Sequence, residues 1–191
     1  HFADEDKVVK DGAFNVSSNG TYTVYARDLA GNEAVQPIHI SNINTVAPLL
    51  ELTPSPTELT NDKVTISVTA TVYGSDSGNE LIKLNWLAGS HVTDDFEEGA
   101  SGADILSTGQ FVVSDNGTYT VYALDSSGQE AVESIVISNI HTTLPALTLA
   151  HAPAELTNSD VAISVTATVY GLDSGNELIK LNWLAGSYGT A

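Results

Sequence analysis

Cysteine and methionine are both missing from the 191 residues, and lysine plus arginine number six against 24 aspartates and glutamates. The lack of cysteine excludes disulfides, cysteine-ligated zinc and thiol catalysis. It also removes the usual mark of an oxidising compartment. A formal net charge of −18 repels phosphate, so neither nucleic acid nor membrane insertion is expected of this chain. No apolar run approaches the roughly 20 residues that span a bilayer. The opening HFADEDKVVK is charged and has no signal-peptide core. Together with the missing methionine, it reads as the start of a mature fragment or of an excised part of something longer. No stretch shows a capped 3.6-residue period. The apolar content of 42% is nevertheless ordinary for a globular protein.

What the chain does have is a repeat. NGTYTVYARDLAGNEA begins at Asn19 and NGTYTVYALDSSGQEA at Asn116, an offset of 97. The same shift aligns Phe14 with Phe111, Tyr22 with Tyr119, Pro48 with Pro145 and Trp86 with Trp183. A period of this length is the size of a small β domain rather than of a solenoid rung. The proline-bearing joints NINTVAP (42–48) and NIHTTLP (139–145) read as linkers. They predict one complete domain over 47–142, the back half of another over 1–46 and the front half of a third over 143–191. The end of the chain also continues into its own beginning. Ser90 and Thr93 match Ser187 and Thr190, and Phe96 then matches Phe2. The expectation is one 191-residue period of a longer tandem array, its half-domains completed by neighbouring copies.

Alternation predicts the strands. Val64, Ile66, Val68, Ala70 and Val72 share one face against Thr65, Ser67, Thr69 and Thr71, the pattern of a half-buried strand. Ile82, Leu84 and Trp86 share another, opposite Lys83 and Asn85. Tyr22, Val24 and Ala26 alternate with Thr21, Thr23 and Tyr25, which places Tyr25 and its counterpart Tyr122 on an exposed face. Pro37 stands where the other copy has Ser134, so that strand is expected at a sheet edge. About seven short strands per period, separated by NG, AGN, SGN and SGQ turns, predict an all-β antiparallel sandwich.

The run FNVSSNGTYTVYARDLAGNEA, followed by ISNINTVAP, resembles the bacterial immunoglobulin-like repeats of secreted, surface-layer and adhesin proteins. It departs from their pattern at the joint, where Asn44 or His141 replaces the usual aspartate, and at Gln129. The resemblance implies tandem immunoglobulin-like β-sandwiches in an extracellular, cell-surface or secreted protein. It places Trp86 and Trp183 as the buried tryptophan of the third strand, and Tyr22 and Tyr119 as tyrosine corners. Val24 and Val121 then stand where antibody domains carry cysteine.

The sequence offers little catalytic chemistry, and no enzyme is expected. The histidines at 1, 39, 91, 141 and 151 lack partners at a known spacing. Asp94, Asp95, Glu97 and Glu98 form an acidic loop with no frame to fix two carboxylates at a glycosidase separation. No glycine-rich phosphate loop is present. No cofactor is expected; the option with most support is calcium, because acidic residues cluster on tight turns. The candidate ligands are Asp28, Glu33, Asp76, Glu80, Asp125, Glu130, Asp173 and Glu177, although Asp and Gly also favour such turns unaided. A Lys83 or Lys180 isopeptide crosslink to Asn42 or Asn139 is a lesser option, as is glycosylation at Asn15, Asn19 or Asn116. The expected function is structural: a stalk, surface layer or filament. The alternative is an adhesin, or the glycan-binding module of a secreted enzyme.

Overall fold

The computed structural model describes residues 9, 11–75, 78–96, 102–171 and 175–186. It is all-β, with eleven strands and no α-helix among the described residues. β1 (Gly20–Arg27) and β2 (Glu33–Ile40) form a two-stranded hairpin. β3 (Leu49–Ser55), β4 (Val64–Thr71) and β7 (Gln110–Val113) form a three-stranded sheet in the order β3-β4-β7. β5 (Leu81–Ala88), β6 (Ala103–Asp104), β8 (Gly117–Asp125) and β9 (Glu130–Ile137) form a second sheet, ordered β6-β5-β8-β9. β10 (Ala146–Ala152) and β11 (Ala162–Thr168) close the chain as another hairpin. Every paired strand is antiparallel.

The three- and four-stranded sheets share one core. Val64, Ile66 and Val68 face inward from β4, and Leu50, Phe111 and Val113 join them from β3 and β7. Leu84, Tyr119, Val121, Ala123 and Ile137 meet them from the other sheet. Trp86 of β5 stacks on Phe111 of β7 with centroids 4.4 Å apart, and it tilts against Tyr119 at 5.9 Å. Offset stacks of this kind contribute beyond the area they bury. β3 to β9, seven strands, all fall between the two proline-bearing joints. Pro37 lies on a strand bonded only to β1, and β9, which carries Ser134, is the terminal strand of its sheet. A residue without an N–H is tolerated at such an edge.

Two features depart from simple alternation. Between Leu81 and Lys83 the register slips against Asp125 and Leu124, so two residues of β5 oppose one of β8. Ile82 is the extra residue of this bulge and turns outward, 52% exposed, whereas Leu84 and Trp86 keep their inward places. The second departure concerns the outer face of the four-stranded sheet, predicted to be open. Tyr122 is 1% exposed, because the segment after β5 folds back across it. That segment ends in a 3-10 turn, Thr93–Phe96. Phe96 stacks on Tyr122 at 5.0 Å, and Lys83 Nζ donates to the Phe96 carbonyl at 2.9 Å while lying over the Tyr122 ring. Thr120, tied to the same segment by Oγ1 donating to the Gly89 carbonyl at 2.7 Å, is fully buried, and Asn85 is buried as well. For Tyr122 alternation assigns the face correctly but cannot tell whether a loop will cover it.

The terminal hairpins reproduce parts of the central unit pair for pair. Gly20↔Ile40 through Arg27↔Glu33 matches Gly117↔Ile137 through Leu124↔Glu130 at an offset of 97. Leu49↔Thr71 through Ser55↔Thr65 likewise matches Ala146↔Thr168 through Ala152↔Ala162. Their surroundings differ. Val121 is fully buried but Val24 is 38% exposed, and Trp183 is 86% exposed. The expected core role of Trp183 is therefore not met within this chain. Among the described residues, 176–184 pair with no strand, and the exposed indole lacks the cover that Phe111 gives Trp86. Tyr22 is only half-buried.

Candidate functional site at the first joint

The most elaborate polar arrangement lies where the first joint meets the central unit. A cavity of about 600 Å³ is lined there by residues 41–46 of the joint and by Gly74, Asn79, Ser126 and Ser127 of the loops beyond. Asp125 anchors it from the last position of β8. The turn DSSGQ closes with the Gly128 N–H donating to the Asp125 carbonyl at 3.1 Å, and Gly128 takes the left-handed φ of 86° that glycine permits. Asp28 and Gly31 build the same turn, again with a 3.1 Å bond.

Both Asp125 carboxylate oxygens are occupied by donors. Oδ1 accepts from Ser127 Oγ at 2.7 Å, Gln129 N at 2.9 Å and Ser127 N at 3.0 Å. Oδ2 accepts from Asn79 Nδ2 at 2.8 Å and, across the joint, from Asn44 Nδ2 at 3.2 Å. Asn44 also donates to Ser127 Oγ at 3.0 Å. Asp125 is 1% exposed. Burial by itself pushes its carboxyl up, but the donors from Asn79, Ser127 and Gln129 outweigh it and hold the group below its ordinary 3.8. The site is a carboxylate cradled by N–H and O–H groups, a geometry for fixing two segments together. A hard cation prefers six to eight oxygen ligands instead.

The other calcium candidates are dispersed. Asp28 accepts the Asn32 side chain and N–H, both at 2.8 Å, which draws its carboxyl below the usual value. Glu33 accepts from Tyr25 Oη at 2.7 Å, and Glu130 from Tyr122 Oη at 2.6 Å. The backbone N–H of Glu80 donates to Ser126 Oγ at 3.1 Å, and Glu177 is exposed. Asp76 and Asp173 lie outside the described residues. Among the described residues no three acidic or histidine side chains gather as a metal would require. Adding excess chelator is expected to leave the melting temperature unchanged, as differential scanning calorimetry can check.

Reading the sequence missed the work of Asn19 and Asn116. The Asn116 side chain donates to the Ile140 carbonyl at 2.8 Å and accepts the Ile140 N–H at 3.0 Å. Asn19 clamps Ile43 in the same manner, with both bonds at 2.9 Å. These amides tie each hairpin turn to the start of the joint that follows it. The recurrence of NG 24 residues before the joint isoleucine is the signal that pointed there. Asn139 is also engaged, donating to the Pro56 and Glu58 carbonyls at 2.9 Å each. Lys83 is held at the Phe96 carbonyl instead.

A histidine–aspartate pair occurs at His91, whose Nδ1 lies 3.1 Å from Asp95 Oδ2 and whose Nε2 lies 3.0 Å from the Ala88 carbonyl. Two acceptors face the two ring nitrogens, an arrangement that favours the imidazolium form. The Ala88 carbonyl, assisted by Asp95, raises the His91 pKa. The pair fastens the covering segment, and its contribution is complete below about pH 6.5 and is lost as pH rises through the elevated folded value. An NMR titration of His91 is expected to give a midpoint above that of a free histidine, and Asp95→Asn is expected to lower it.

No protein-family model and no curated protein matches the chain. Among the described residues, no helix is long and apolar enough to cross a membrane.

Proposed function

We propose that the chain is a structural component of an extracellular array of tandem immunoglobulin-like sandwiches, serving as a stalk, surface layer or filament. The carrying observation is the reproduction of strand register at an offset of 97, with β1–β2 repeating β8–β9 and β10–β11 repeating β3–β4. Other features support it. Tyr119 Oη donates to the Asp115 carbonyl at 2.7 Å and Tyr22 Oη to the Ser18 carbonyl at 2.6 Å. Bonds back to the chain four residues upstream are what tyrosine corners make. The contact of Asn44 with Asp125 and Ser127 stiffens a joint of a few residues, as an array that spans distance requires. An excess of negative charge discourages edge-to-edge association of crowded sheets. The burial of Tyr122 removes one of the two contact points on which an adhesin or glycan-binding reading draws.

The test is to express two copies joined end to end as one polypeptide. A new protease-resistant fragment spanning the junction is expected, with a second unfolding event of the same size when the molecule is stretched. A junction cleaved as readily as an unfolded linker would sink the reading.

A further inference from the structure

The β1–β2 hairpin carries an apolar groove of about 400 Å³, lined chiefly by Phe14, Val16, Tyr22, Val24, Ile38 and Ile40. At an offset of 97 these are Phe111, Val113, Tyr119, Val121, Ile135 and Ile137, which all belong to or pack on the central core. There the ring lying against Phe111 and Tyr119 is that of Trp86. Its counterpart, Trp183, is 86% exposed at the other end of this chain. Leu147, Leu149, Ile163 and Val165 of β10–β11 are exposed as well, whereas their counterparts Leu50, Leu52, Ile66 and Val68 form or flank the core. The chain thus holds an open groove, the side chain that fills such a groove, and a worked example of the two combined. The hairpins are separate sheets within one molecule.

We propose that two copies join head to tail, Trp183 and β10–β11 of one closing over the β1–β2 groove of the next. This rests on the repeat reading above and supplies its partner and register. From Val64↔Val113 and Ile66↔Phe111, Val161 pairs with Val16 of the second copy, and Ile163 with its Phe14. From Trp86↔Val121, Trp183 pairs with its Val24. A polar observation agrees independently. His141 Nε2 is buried without a hydrogen-bond partner among the described residues. His141 is the counterpart of Asn44, which reaches Asp125 Oδ2, and the counterpart of Asp125 is Asp28. The same join brings Asp28 of the second copy to His141. A heterologous contact of this kind repeats from copy to copy, giving open chains, or rings where the rotation closes.

The absence of cysteine makes the register testable. Thr65 and Val112 are directly opposed between β4 and β7, so Asn15→Cys with Ala162→Cys should crosslink one copy to the next. Mild oxidation is expected to give a ladder of dimers, trimers and longer species on a non-reducing gel. Asn15→Cys with Thr148→Cys should give no ladder, because the β10 counterpart, β3, is separated from β7 by β4. Adding Trp183→Ala should cut the ladder at least tenfold. The unaltered chain, measured by sedimentation, should gain mass with concentration. Monomers throughout, or equal ladders from both cysteine pairs, would overturn the proposal. If the end-to-end fusion shows a resistant junction while separate copies stay monomeric, the joining of copies fails and the repeat reading survives. If the junction itself is cleaved, the reading fails first.

Discussion

Trp86→Ala is expected to lower the unfolding free energy by about 3 kcal/mol, the low end for removing a large aromatic, because the indole is half-buried against the core. The indole bridges the two central sheets, stacked on Phe111 and tilted against Tyr119. With no disulfide between the sheets, little else can offset a cavity at that point. Trp183→Ala supplies the internal control. The residue type is the same and so is the local sequence, but the ring is exposed. Monomeric protein should therefore change by no more than about 0.5 kcal/mol, the ordinary range for surface substitutions. Denaturant melts of the two variants at low protein concentration measure the contrast. A similar loss in both would mean that Trp183 is covered in solution even in the monomer.

Asp125→Ala is expected to cost about 2 kcal/mol, since it leaves the half-buried Asn44, Asn79 and Gln129 donors without the acceptor they now share. The loss should be accompanied by freer motion at the first joint, because Asn44 would retain only Ser127 as a partner across it. The same carboxylate predicts a response to acid. Its folded pKa lies below the unfolded value, so its contribution is complete above about pH 4 and is lost as pH falls through the lower folded value. The wild-type melting temperature should drop over that range more steeply than that of Asp125→Asn. Matching pH profiles for the two proteins would exclude this carboxylate as the cause.

Much of the fold was legible because apolar alternation and a repeat are local signals. The inward stripe of Val64, Ile66 and Val68 and the shared face of Leu84 and Trp86 follow from period alone, whereas the stack of Trp86 on Phe111 does not. What escaped depended on contacts distant in sequence. The bulge at Ile82 is a mismatch between two strands and leaves no mark on either. The covering of Tyr122 requires Phe96 to fold back from a turn whose sequence, TDDF, reads as a solvated acidic loop. At the joint, Asp125 and its turn were visible as a cluster of oxygen donors, which is why calcium was a reasonable expectation. That Asn79 and Asn44 would turn amide donors toward it lay beyond sequence reasoning, since those side chains are 46 and 81 residues away.

The folded-back segment has a mechanical corollary. Because it shelters the outer side of the four-stranded sheet while the core shelters the inner, Tyr119 through Ala123 of β8 are five successive buried residues in the middle of their sheet. Water has no route to their amide bonds except through loss of one layer or the other. Those protons should be the last in the molecule to exchange with deuterium, and under tension a tear should start at an edge strand, β6 or β9, before β8 comes free.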